Sequence, residues 1–201
     1  MKVLSVENTQ ELAVLRTRSD YVRDIDDNVI KLVDDMVKVV ESNKTVGFSA
    51  VQLGNTSRIF VINMFSGLFD ITKDIKVISG YHSLNGKNLI CINPEIVNLS
   101  GEAVTLFEGC LSAISYGLVG IHRPKHLDLK YKDLLNNECV IRAYGWLARC
   151  IQHEIDHLNG VLLANVIDNI RNVNVSSVSD EDYSTVHILL LNNKKHATNA
   201  E

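Results

Sequence analysis

The sequence predicts an α+β fold: mixed or antiparallel β-sheets gathered around one central helix, with a helix near the N-terminus and a helix or strand near the C-terminus. Three observations predict it. Val29, Leu32, Val33, Met36, Val37 and Val40 share one stripe, with Lys31, Asp34, Asp35, Lys38 and Glu41 mainly elsewhere, so residues 27–42 read as an amphipathic helix. Further along, short runs rich in β-branched and aromatic residues recur between turn residues, the pattern of strands. Then Trp146, Leu147, Cys150, Ile151, Ile155 and Leu158 return at helical spacing, and Asn159-Gly160 supplies a stop.

That later helix carries Gln152-His153-Glu154-Ile155-Asp156-His157. Histidines four apart lie on one helix face, one turn above the other, so both imidazoles can reach one metal ion. Glu154, beside His153, can hold or deprotonate a water on that metal. The same letters can arise by chance on an amphipathic helix, where they would be ordinary surface or core residues. Two imidazoles also leave a catalytic metal one protein ligand short of the usual three. Cys110, Cys91, Cys139, His122, His126 and several carboxylates are candidates, and chemistry favours a thiolate or imidazole without choosing among them.

Composition narrows the classes. A chain of 201 residues can build one domain with a full core, expected over 1–170, with 171–201 as a C-terminal extension. A net charge of -4 gives no footprint for nucleic acid or an anionic membrane surface, and no apolar run approaches the length of a span. The stretch Met1 to Glu7 has no apolar signal core, and Cys91, Cys110, Cys139 and Cys150 show no paired spacing. Both features fit reduced thiols in a cytoplasmic protein.

In chain order, residues 1–24 read as an irregular or extended arm, and Asp26 as a helix cap. Ser42-Asn43-Lys44 ends the first helix. The small-residue run from Thr45 to Gly54, holding Gln52, suits a close backbone approach to a ligand or a tight helix-to-strand connection. Arg58 to Met64 reads as a strand, 65–87 as a loop or hairpin insertion, and Asn88 to Pro94 as a strand stopped by its proline. Glu95 to Ser100 and Ala103 to Leu106 read as short strands, Leu127 to Tyr131 as a half-buried strand and Cys139 to Tyr144 as another, leading into the later helix. Val161 to Ile167 is apolar and should pack on the core. Tyr183 to Lys195 reads as a terminal helix or strand, and the residues from His196 as a disordered tail.

Three stretches in order, Gly47-x-Ser49-Ala50-x-Gln52, Glu108-Gly109-Cys110-Leu111-Ser112 and Gln152-His153-Glu154-x-Asp156-His157-x-x-Gly160, resemble the motifs of peptide deformylases. The resemblance covers about residues 25 to 165. It implies Cys110, His153 and His157 as metal ligands, Glu154 as general base and acid, and Gln52 with the Leu111 N–H as oxyanion donors. Gly47 would pair with the substrate backbone. The implied reaction removes the formyl group from the N-terminal methionine of nascent chains near the ribosome. The implied cofactor is Fe²⁺, replaceable by Zn²⁺, Ni²⁺ or Co²⁺. Phe48, Leu106, Glu108, Trp146, Arg149 and Cys150 are the substrate-pocket candidates, and Asp156 is expected to face solvent. The chain departs from the family pattern at Thr45, Val51, Ala113-Ile114 and Arg149. It also carries an extra residue between Ser115 and Arg123, which leaves the family's substrate-contacting arginine unassigned. Two other readings compete: a deformylase-like binding protein without turnover, and a metallopeptidase.

Overall fold

The computed structural model describes residues 1–65, 71–80, 84 and 87–167. The expected terminal helix or strand and tail lie outside them, as does the whole C-terminal extension.

A six-stranded antiparallel sheet forms the frame. Its strands are β1 (Gly47–Ser49), β2 (Ile59–Asn63), β3 (Ile75–Ser79), β4 (Asn88–Leu99), β7 (His126–Lys132) and β8 (Glu138–Tyr144), in the order β1-β2-β4-β7-β8-β3. A separate hairpin joins β5 (Ala103–Glu108) to β6 (Val119–Pro124). Helices α1 (Thr9–Leu15), α2 (Asp27–Asn43), α3 (Gly145–Leu158) and α4 (Leu163–Ile167) complete the described chain.

Strand β2 and the first half of β4 are apolar on both faces because both faces are covered there. Phe60, Ile62, Leu89 and Cys91 point towards α3, where Leu147, Ala148, Ile151 and Leu158 meet them. Ile59, Val61, Ile90 and Ile92 point the other way, onto Val33, Met36, Val39 and Val40 of α2. The alternation of the strands and the stripe on each helix thus select each other. Asp26 caps α2 by accepting from Val29 N–H at 3.0 Å, and Lys44 ends it in the left-handed conformation.

Three expectations need correction. The N-terminal arm contains α1, capped by Asn8 Oδ1, which accepts from the N–H groups of Gln10 and Glu11. Pro94 does not stop its strand: β4 runs on to Leu99, with register shifts either side of Glu95 taking up the missing donor. The 65–87 insertion contributes β3, which pairs with β8 at the edge of the sheet.

Candidate functional site

Helix α3 is oriented by its apolar side against the sheet. Its other side faces the β5–β6 hairpin and the turn after Glu108, and that face carries the chemistry. Cys110 Sγ lies 3.2 Å from His157 Nε2. Together with His153 these residues offer three ligand atoms within 4.8 Å of one another, the only such His/Cys/Asp/Glu group among the described residues. The other third-ligand candidates fall away. Cys91 and Cys139 are in the sheet core, His122 is exposed beside Thr105, and His126 stacks near Tyr144.

The donor set fits a divalent metal. One thiolate and two imidazoles suit Zn²⁺ or Fe²⁺, and their spacing lets bonds of about 2.0–2.3 Å reach a common centre with small adjustments. Burial alone would raise the Cys110 thiol, but the charge of His157 and hydrogen bonds from His153 and His157 outweigh it and bring it down to about 5. His157 Nδ1 is buried with no hydrogen-bond partner.

Glu108 was expected to line the substrate pocket. It does border the cavity, and its carboxylate is also held by other protein groups. Arg123 grips it with two bonds, at 2.6 and 3.0 Å, and Arg149 Nη1 donates to Oε1 at 2.9 Å. His153 Nδ1 lies 3.0 Å from Oε2. A charged carboxylate only accepts, so Nδ1 carries the proton and Nε2 is left for a metal. Burial would raise the Glu108 carboxyl, but His153 and Arg123 outweigh it and hold it well below the usual range.

Arg149 borders the cavity as expected, but with its charge engaged. Its guanidinium turns from the substrate side into Glu108 and the carbonyls of Ile121 and Val104, tying α3 to the hairpin. Asp156 does not simply face solvent: it accepts from Arg123 Nη1 at 2.7 Å. The sequence reading missed Arg123 as the centre of this network. Its signal was phase: on β6 it shares the buried side with Ile121, and an inward guanidinium needs a buried acid.

Glu154 lies across from Glu108, with different company. Ser49 Oγ lies 2.7 Å from its Oε2, and a Cβ on Gly47 would overlap its Oε1 and the Cys150 sulfur. Glycine at 47 is therefore a steric requirement of this site. Burial raises the Glu154 carboxyl, and His153, His157 and Ser49 pull it back only in part. Gln52 is fixed by Ser49 N–H donating to its Oε1 at 2.9 Å, so its Nε2 faces Ser112 Oγ at 3.1 Å and Cys110 Sγ at 3.7 Å.

Comparison with known proteins identifies the family. The polypeptide deformylase family model matches residues 2–173. The chain belongs to the peptide deformylase family. A peptide deformylase of Wolbachia sp. subsp. Brugia malayi (strain TRS) is 49% identical over 148 residues, covering 74% of this chain and 78% of the relative. One from Orientia tsutsugamushi (strain Boryong) is 33% identical over 171 residues, 85% of this chain and 90% of the relative. The crystal structure of peptide deformylase from Ehrlichia chaffeensis superimposes with a TM-score of 0.66 at 31% identity, covering 96% of each chain.

The deformylase cavity is lined by Gly47, Gln52, Glu108, Cys110, Leu111, Trp146, Arg149, Cys150, His153 and Glu154, all singled out in the sequence. Phe48 is not part of it. On β1 it points opposite to Gly47 and Ser49 and packs against α2. Leu106 is not among the lining residues either; Phe107, one position on, is. Both are errors of strand phase, where one residue reverses the face. Val46, Ile71 and Ile114 complete an apolar wall that the sequence reading did not assemble. Among the described residues no helix is long and apolar enough to cross a membrane.

Proposed function

We propose that this chain hydrolyses the N-formyl group from the terminal methionine of newly made proteins, releasing formate and a free amino terminus. One observation carries the reading: Glu154, Gln52 and two of the three candidate metal donors, Cys110 and His153, line one apolar-walled cavity, with His157 beside Cys110. Cys110, His153 and His157 would hold the metal, Fe²⁺ in the native enzyme. A divalent ion there supplies Lewis acidity to the formyl oxygen and lowers the pKa of a water.

The chain's own residues do the rest. Glu154 accepts the water proton as the oxygen attacks the formyl carbon. Negative charge grows on the formyl oxygen, where Gln52 Nε2 and the Leu111 N–H donate to it; losing one such donor typically costs about 100-fold or more. Glu154 then returns the proton to the leaving amine. Val46, Ile71, Phe107, Trp146 and Cys150 supply apolar surface for a methionine side chain. β1 is an edge strand, so its free side can pair with an extended substrate at Gly47.

This reading makes residues 1–170 one catalytic domain, working in the cytoplasm on chains emerging from the ribosome. A binding protein without turnover has no chemical need for Glu154 or Gln52. The test is formate release from formyl-methionyl, acetyl-methionyl and unblocked peptides by metal-loaded protein. Release from the formyl peptide alone is expected. Cleavage of the unblocked peptide would identify a metallopeptidase, and metal without turnover on any peptide a binding role.

A further inference from the structure

Glu154 presents two oxygens in unlike surroundings. Oε2 is held by Ser49 Oγ, and Oε1 lies against Gly47, a residue of the cavity wall. Ser49 is fully buried on β1, and its backbone N–H is the group that orients the Gln52 amide. One residue therefore touches both groups assigned to the chemistry.

We propose that Ser49 is a positioning residue: its hydroxyl anchors Oε2 so that Oε1 is the oxygen presented to water, while its N–H aims Gln52 at the developing charge. The inference rests on the roles given above to Glu154 and Gln52. The hydroxyl has one proton and two acceptors in reach, Glu154 Oε2 at 2.7 Å and the Glu154 carbonyl at 3.1 Å. The shorter bond to the charged acceptor is the stronger of the two. Bonding to the carbonyl instead would make Ser49 only a tie between β1 and α3.

Carboxylate placement matters because proton transfer needs hydrogen-bond reach, and a small displacement of a reacting group is costly. A free Glu154 carboxylate would rotate and present either oxygen, or neither, to the water.

The experiment compares full-length metal-loaded parent, Ser49→Ala and Ser49→Thr, measuring kcat and KM on a formyl-Met peptide, bound metal and melting temperature, with a crystal structure of Ser49→Ala. Alanine removes only the hydroxyl, leaving the N–H to Gln52. Expected is a loss of roughly 10- to 100-fold in kcat, the worth of one hydrogen bond to a charged group, with KM and metal content unchanged. Threonine keeps the hydroxyl and recovers most of the turnover, and in the alanine structure the Glu154 carboxylate has rotated. A lowered melting temperature with parental kcat, a change in KM alone, or an equal loss in both variants overturns the inference. A parent that releases no formate defeats the proposed function instead. The crystal structure then still decides the anchoring: a rotated carboxylate supports it and an unmoved one overturns it.

Discussion

Glu108 and Glu154 are both buried carboxylates against the same helix, and their surroundings drive them apart. Glu108 meets two guanidinium groups and an imidazole, so its charge is held below the ordinary range. Glu154 meets a hydroxyl and the imidazoles of His153 and His157; burial prevails, and its carboxyl is raised. The first can orient a ligand but has no proton to trade near neutrality. The second is placed to take and return one. Two acids whose environments separate their proton affinities mark a division between support and reaction.

The largest expected effect is on the reacting side. Glu154→Gln should lower formate release by about 100- to 10,000-fold, the usual worth of a positioned proton carrier, with bound metal retained. The same change should raise the melting temperature of the metal-free protein. A raised carboxyl means the buried charge costs folding stability at neutral pH, and the amide removes that cost.

On the supporting side the sign reverses. Glu108→Gln leaves Arg123 and Arg149 facing a neutral amide in a buried site, so denaturant unfolding should show a loss of about 3–5 kcal/mol. Metal affinity should also fall, by about 10- to 100-fold, because His153 loses the acceptor that fixes its tautomer.

A pH titration sharpens the contrast. Glu154 must be charged to accept a proton, so kcat/KM should fall as pH drops through a value above the ordinary glutamate range. Glu108 is depressed, so the stability it adds is fully present above the unfolded glutamate value of about 4.3. It is lost as pH falls from there towards the lower folded value. Activity should therefore fail at a higher pH than the fold does. Coincident acid limbs would break the comparison. The smallest effect belongs to Asp156→Asn: its side chain is partly exposed and Arg123 keeps Glu108, so unfolding should change by no more than about 1 kcal/mol.

The reacting side was more legible in the sequence than the supporting side. Two histidines and a glutamate on one helix suggested metal chemistry by their spacing, and the resemblance of three ordered motifs brought Cys110 and Gln52 to them. The supporting side is assembled by tertiary contact. Arg123 reaches Glu108 across a hairpin whose β6 strand was not read at all, and Arg149, at the cavity wall, spends its guanidinium on backbone carbonyls that no sequence pattern reveals. Phe48 and Leu106 show a different limit. Alternation reveals that a strand has two faces but not which one a cavity will use. Helix α1 escaped because it has only seven residues, too few for a periodic stripe, and it depends on the Asn8 cap.

The most direct test of this division of labour is formate release per bound metal, measured side by side for Glu154→Gln and Glu108→Gln. Normalising to metal removes the supporting role and leaves the reacting one. The account predicts that Glu108→Gln recovers most of the parent turnover per metal, while Glu154→Gln stays near zero. Near-parent turnover in Glu154→Gln, or an equal loss in both variants, would contradict it.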